Sequence, residues 1–288
     1  MSPPSDYPPP PPDPRRPPVP YHAGTSLTIQ SHLPPDPLGP GYFTGPPARN
    51  RFLGLKFWND NRWNQTEWCL QEHPLIETPP PSPVKAHTLH ILSEVAVKDG
   101  RGPQVVRCYL DDCENTTYIA KIFDPLYYKY PGDASWCADH DYSLESSAYE
   151  EIKDSGNDGK YTPTYFGSFS FSLPLLDTPQ STGLTCTARM VLIEDIPGVS
   201  LQTLIKEYIY CQIPPRLRLD IMAEVIEMEC RLYFIGVKQG DLAPRKVMLT
   251  MDPSDYTRPP SRIVLLDFAY SSVMTWSHFR VFGPQIPK

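Results

Sequence analysis

Apolar residues follow a strand-like pattern in the middle of the chain and a helix-like pattern towards its end. Alternating or β-branched runs occur between residues 87 and 195, in HTLHILSEVAV, QVVRCYL, TTYIAKIF, YFGSFSF and ARMVLIED. Such runs are typical of strands. The Asp99-Gly100 pair between the first two runs indicates a hairpin turn. We therefore expect an antiparallel sheet of five strands.

Helical spacing of apolar residues occurs in three segments. One lies between the third and fourth strands, where Leu144, Ala148 and Ile152 are four residues apart, and the others are residues 200–210 and 216–236. Two short strand-like runs, VMLT and RIVLLDF, follow the last helix. Strands that are followed by helices predict an α+β domain.

Prolines divide the rest of the chain. Seventeen of the 37 prolines fall in the first 50 residues, which predicts a disordered, Pro-rich N-terminal tail over residues 1–50. Residues 51–83 contain Trp58, Trp63 and Trp68 and end in a proline-rich linker, so they are interpreted as an aromatic-rich strap. Residues 84–288 are expected to form the folded domain.

Composition excludes several classes of function. The formal net charge is -7 and no basic stripe is present, so we expect no nucleic-acid partner. No apolar run has the length of a membrane span. The seven cysteines are scattered, which favours neither a zinc site nor a disulfide framework. These features predict an intracellular protein, cytoplasmic or nuclear.

Four charged residues lie at positions of chemical interest. Lys121 is in an apolar strand and Glu145 in the next helix, whereas Asp241 lies in a loop and Asp267 ends a strand. Each has an ordinary explanation by itself, as a surface residue or a turn. Together, in this order, they form the set that phosphoryl transfer from ATP requires: a cation for the phosphates, its carboxylate partner, a carboxylate beside the acceptor hydroxyl and a magnesium ligand.

The motifs around these residues resemble the protein-kinase-like superfamily. YIAKIF resembles the motif of the third-strand lysine, GDLAPRK the catalytic loop, and LLDFA the magnesium-binding motif. The phrases AKIFDPLYY, DYSLESSAYE and GDLAPRKVML are similar to those of a group of fungal kinase-like proteins. The resemblance implies a two-lobed fold, with the five-stranded antiparallel sheet in an N-lobe (about 84–195) and a short, mainly helical C-lobe (about 196–288).

The resemblance also implies a site for ATP and magnesium. Asp241 is then the catalytic base and Asp267 the metal ligand. The implied nucleotide contacts are Lys121, Glu145, Glu194, Ile196 and Lys246. The partners are a nucleotide and an acceptor hydroxyl on a protein or a small molecule.

Several departures from the family pattern bear on catalysis. The first hairpin, KDGRGP, has no Gly-rich phosphate loop, Gln239 stands where the family usually has His, and only 21 residues follow Asp267. Lys246 stands where the family has an Asn that binds a second magnesium. It either contacts a phosphate and replaces part of the missing charge, or it points into solvent at a decayed site. The alternative function is therefore a pseudokinase that binds without turnover.

A further motif lies in the N-terminal tail. Residues 11–16, PPDPRR, fit the P-x-x-P-x-R pattern that proline-reading adaptor domains bind. Such matches also arise by chance in proline-rich tracts. An adaptor domain is thus a third candidate partner.

Overall fold

The protein is described by a computed structural model that covers residues 11–38, 63–72, 74–111, 113–128, 133–178 and 182–275. The chain divides into two compact units. The first comprises residues 1–143 and 167–192, and the second comprises residues 144–166 and 193–288. Within the described ranges, no helix combines the length and apolar character that are needed to cross a membrane.

A closed β-barrel forms the core of the first unit. Its strand order is β1-β2-β3-β4-β6-β5, and β5 returns to β1. The strands are β1 (Ser26–Ser31), β2 (Ala86–Ala96), β3 (Gln104–Leu110), β4 (Tyr118–Phe123), β5 (Tyr165–Pro174) and β6 (Thr185–Glu194). β1 pairs antiparallel with both β2 and β5, so the sheet has no free edge on either side of β1.

The two-lobed protein-kinase-like fold with a five-stranded antiparallel sheet is therefore wrong. The barrel has a sixth strand, which comes from the region that sequence analysis assigned to a disordered tail. β1 alternates Leu27 and Ile29, both buried, with exposed neighbours. This alternation covers one face of a strand, and it lies in a proline-free stretch, so the surrounding prolines do not prevent it from pairing.

The chain before β1 is also held by the first unit. The Arg16 Nε donates to the Leu126 carbonyl at 2.8 Å, and the Thr66 amide donates to the Asp13 carboxylate at 2.9 Å. Arg15 lies 3.2 Å from Glu67. The prediction of disorder is thus wrong for this stretch as well, while residues 1–10 and 39–50 lie outside the described residues.

These contacts also bear on the adaptor-binding motif. Its two arginines are engaged inside the protein, and Arg16 additionally pairs with Asp99. A proline-reading domain would have to break these contacts before it could bind. The structure therefore does not favour this partner.

In the aromatic-rich strap, the described part is short. Asn64 caps α1 (Gln65–Glu67), which continues into the π-helical turn Trp68–Glu72. The Trp68 indole is buried and donates to the Asp133 carboxylate at 3.1 Å. Trp58 lies outside the described residues.

Three longer helices follow in the described part of the chain. In the second unit, they cover fewer residues than expected. They are α2 (Ala134–Asp154), α3 (Leu201–Lys206) and α4 (Pro215–Phe234). The helix that was expected over residues 200–210 ends early, because Tyr208 takes a left-handed conformation with φ 58°. A separate 3-10 turn, Ile209–Gln212, completes the segment.

Five short strands complete the described part of the second unit. β7, β9 and β10 form a sheet in the order β10-β9-β7, and β8 pairs with β11. Their bounds are β7 (Val199–Ser200), β8 (Val237–Lys238), β9 (Val247–Thr250), β10 (Arg262–Leu265) and β11 (Ser272–Val273). Asp241 and Lys246 lie between β8 and β9, and Asp267 lies between β10 and β11.

We expect Ile29→Ala to destabilise the protein because Ile29 is fully buried in β1. Removing a buried isoleucine side chain costs about 2–5 kcal/mol in the free energy of unfolding. The matched control is Gln30→Ala, at an exposed position of the same strand, with an expected change within about 0.5 kcal/mol. Urea denaturation measures both. Equal, small effects would show that β1 is not part of the folded core.

Candidate functional site

The loop that follows α4 and the segment that follows β10 are joined at several points in the second unit. β8 and β11 pair antiparallel, with Val237 opposite Val273. The Leu266 amide donates to the Lys246 carbonyl at 2.8 Å. Residues 237–246 and 266–273 therefore run side by side, which brings Asp241 and Asp267 together although 25 residues separate them in the sequence.

Gln239 fixes the segment that carries Asp267. Its side chain is fully buried. The amide nitrogen donates to the carbonyls of Leu266 at 3.0 Å and Asp267 at 3.3 Å. Gln239 thus orients this segment through two side-chain hydrogen bonds.

Gly240 allows the two segments to approach closely. Its φ is +79°, and a Cβ at this position would lie 2.1 Å from the Tyr270 carbonyl oxygen. No other residue fits here without displacing backbone. The Gly-Asp pair of the loop therefore has a steric basis as well as a chemical one.

Asp267 lies in a strained backbone conformation. Its φ is +66°, in the left-handed region that non-glycine residues seldom adopt, although Asp tolerates it better than most. The next residue, Phe268, is fully buried and packs edge-to-face on Tyr149, with 5.2 Å between ring centroids. The packing of Phe268 and the bonds from Gln239 hold this turn.

The central feature of the site is the side chain of Lys246. Only 2% of it is exposed. Its Nζ lies 2.8 Å from the Asp241 carboxylate and 3.0 Å from that of Asp267. The interpretation that Lys246 points into solvent is therefore wrong, because its ammonium group is buried between the two carboxylates.

The two carboxylates are more exposed to solvent than Lys246. The side chains of Asp241 and Asp267 are 38% and 34% exposed. The Arg245 guanidinium also donates a hydrogen bond to the Asp241 carboxylate at 2.5 Å. Hydrogen bonding from Lys246 is the main reason why the pKa of Asp241 is below its usual value, and the charges of Lys246 and Arg245 lower it further. Asp241 is thus ionised and a weak base.

Magnesium, which the family resemblance implies, does not fit this arrangement. The metal binds to carboxylate oxygens and usually retains several waters. Here an ammonium lies against both carboxylates, and a protonated lysine cannot ligate a cation and repels it. Lys246 supplies one positive charge at both carboxylates, where magnesium would supply two.

Lys121 and Glu145, the predicted ion pair, belong to different units. Lys121 is on β4 in the first unit, with its Nζ 5.7 Å from the centroid of the Phe123 ring. Glu145 is fully buried on α2, in the part of the chain that belongs to the second unit. Their pairing stays a prediction.

The side chain of Glu194 is held in a network of its own. It accepts hydrogen bonds from the Arg262 guanidinium and from the Thr164 amide. Burial is the largest single influence on its pKa and raises it, but the bonds from Arg262 and Thr164 together outweigh burial, so that the pKa is lowered. Its own amide donates to the Thr164 carbonyl at 2.9 Å. Ile196 is buried. Glu194 thus has a structural role, because it links Thr164 and Arg262 within the second unit.

Sequence analysis missed one member of the cluster. Arg245 pairs with Asp241, and its position next to Lys246 in PRK is the signal that was available. Residues 241–246 thus contain Asp241 and two cations that pair with it, Arg245 and Lys246.

Comparisons with known proteins give little further guidance. No protein-family profile matches the chain, and no curated protein matches it. One similar solved structure is WaaP in complex with acyl carrier protein, with a TM-score of 0.39 and 16% sequence identity. The alignment covers 63% of this chain and 63% of that chain, so this chain spans less than two thirds of its length. A likeness at this TM-score supports neither a fold nor a function.

We expect Gly240→Ala to destabilise the protein more than a matched glycine substitution does. Gly156→Ala is the control, since its φ is +72° and nothing lies within 4 Å of the added Cβ. The control should cost about 1–2 kcal/mol for backbone conformation alone. Gly240→Ala adds the contact with the Tyr270 carbonyl and should cost at least about 2 kcal/mol more. Equal losses in urea denaturation would contradict the close approach of the two segments.

Proposed function

We propose that this protein is a nucleotide-binding module that does not transfer phosphate. In this proposal Lys246 takes the place of the metal, and ATP binds without magnesium. The observation that carries it is the buried ammonium of Lys246, within 3.0 Å of both Asp241 and Asp267. The nucleotide itself is inferred from the order of the Lys121, Glu145, Asp241 and Asp267 motifs.

Two properties of the cluster argue against turnover. Phosphoryl transfer depends on metal ions that bridge the phosphates and neutralise the developing charge, and the ammonium of Lys246 opposes metal binding at both carboxylates. In addition, the lowered pKa of Asp241 makes it a poor acceptor for the proton of an acceptor hydroxyl. Arg245, whose side chain is 52% exposed, is the cation of the cluster that an anionic phosphate could reach.

The phosphotransferase itself is the second candidate. The observation that favours it is the partial exposure of the Asp241 carboxylate, which an acceptor hydroxyl could reach. For turnover, Lys246 would have to leave the carboxylates while a metal enters. A buried lysine that loses its carboxylate partners is left as an uncompensated buried charge, which is strongly destabilising. Binding without turnover is therefore the better-supported function.

The substitution Lys246→Asn tests the proposal. The wild-type protein should bind ATP equally well with magnesium and with EDTA, as measured by the thermal shift. In Lys246→Asn, the two carboxylates lose their internal cation and gain an amide oxygen as a neighbour, so they attract a divalent cation. Binding of ATP should then become about tenfold tighter with magnesium than with EDTA.

The comparison is made within each variant, so a general loss of stability in Lys246→Asn does not affect it. Lys160→Asn removes a lysine charge at an exposed position of the same unit and should behave as the wild type. A wild-type protein whose ATP binding requires magnesium, or that phosphorylates a substrate at ordinary rates, would overturn the proposal. No ATP binding under either condition would also overturn it.

A further inference from the structure

An apolar pocket of about 370 Å³ lies in the second unit, next to the loop that carries Asp241. Its walls are α3, the 3-10 turn that follows it, α4 and the loop at residues 242–244. The lining residues are Leu201, Leu204, Ile205, Tyr210, Ile213, Arg218, Ile221, Met222, Val225, Leu242, Ala243, Pro244 and Val247. Its volume is in the range of small-molecule sites.

The amphipathic pattern of α4 explains why a cavity is left here. One stripe of the helix, at Ile221, Val225, Met228 and Leu232, is buried. A second apolar stripe beside it, at Leu219, Met222 and Ile226, is exposed. Three residues of the pocket lining are likewise exposed, namely Ile205, Met222 and Leu242. An apolar surface of this kind on a concave site favours a bound apolar group.

Arg218 is the single charged residue in the lining. Its guanidinium lies 5.9 Å from the centroid of the Tyr210 ring. Among the described residues, no carboxylate lies within ion-pair distance of it. The other arginines of α4 differ in this respect, because Arg216 pairs with Asp220 and Arg231 with Glu227. Arg218 is thus the one arginine of this helix that is left to bind an external anion.

We propose that this pocket binds a small amphipathic carboxylate, with its apolar chain in the pocket and its carboxylate on Arg218. A guanidinium matches a carboxylate through two parallel hydrogen bonds, and the cation–π contact of Arg218 with Tyr210 leaves its N–H groups able to donate to a ligand. The volume accommodates about a dozen non-hydrogen atoms, since one water takes about 30 Å³ in the liquid. A straight-chain carboxylate such as decanoate has this size.

The pocket also shares residues with the candidate site. Leu242, Ala243 and Pro244 line it, and they lie between Asp241 and Lys246 in the sequence. A ligand in the pocket would therefore contact the loop that carries Asp241.

Isothermal titration of the full chain with decanoate, without nucleotide, tests the proposal. Decanoate should bind at one site per chain, and 1-decanol, which has the same chain and no charge, should bind more weakly. Arg218→Gln should weaken decanoate binding about tenfold, as the loss of a charge-assisted contact does, and should leave decanol binding unchanged. Arg216→Gln, two residues away on the same helix, is the matched control and should have no effect.

A third variant locates the binding. Ala243→Phe puts a large side chain into the pocket and should abolish binding of both probes, while circular dichroism shows whether the fold is retained. Equal binding of decanoate and decanol, or no effect of Arg218→Gln, would overturn the role of the cation. Binding that survives Ala243→Phe would place the ligand elsewhere. Absence of binding in the wild type would mean that another part of this chain or a second copy covers the pocket, and would also overturn the proposal.

Discussion

The second unit depends on the neutralisation of one buried positive charge. An ammonium group without a partner is costly to bury, and the removal of one member of a buried ion pair commonly costs about 3–5 kcal/mol. Lys246 satisfies this requirement with two carboxylates that come from different segments, Asp241 from the loop after α4 and Asp267 from the segment after β10. The charge therefore connects the two segments as well as neutralising the carboxylates.

The backbone around the cluster is adapted to this connection. Gly240 permits the close approach of residue 270, the Gln239 side chain donates to the consecutive carbonyls of Leu266 and Asp267, and Asp267 takes a left-handed conformation. A strained residue of this kind persists only where its surroundings hold it. In this chain the buried lysine is part of that support, which is why the site is compatible with a fixed internal cation and poorly compatible with a metal.

The sequence predicted part of this arrangement. The strand runs of the barrel, the long helix α4 and the special nature of Asp241, Lys246 and Asp267 follow from apolar periodicity and from charged residues in apolar surroundings. The direction of Lys246 could not be predicted, because a lysine in a loop reaches solvent or a carboxylate with equal ease until the register of β8 against β11 is known. Likewise, β1 was hidden by the prolines around it, since composition is averaged over a window longer than one strand. The role of Glu194 depends on Arg262, which is 68 residues away, and no local pattern indicates such a pair.

The central claim, that Lys246 occupies the position of a metal, is tested most directly by crystals of the wild-type protein grown with ATP and Mn²⁺. Mn²⁺ substitutes for magnesium at oxygen ligands and is identified by its anomalous scattering. The account predicts that the ammonium of Lys246 lies between the carboxylates of Asp241 and Asp267, with no anomalous peak at either. A peak at coordination distance from Asp267, with the side chain of Lys246 turned away, would contradict it.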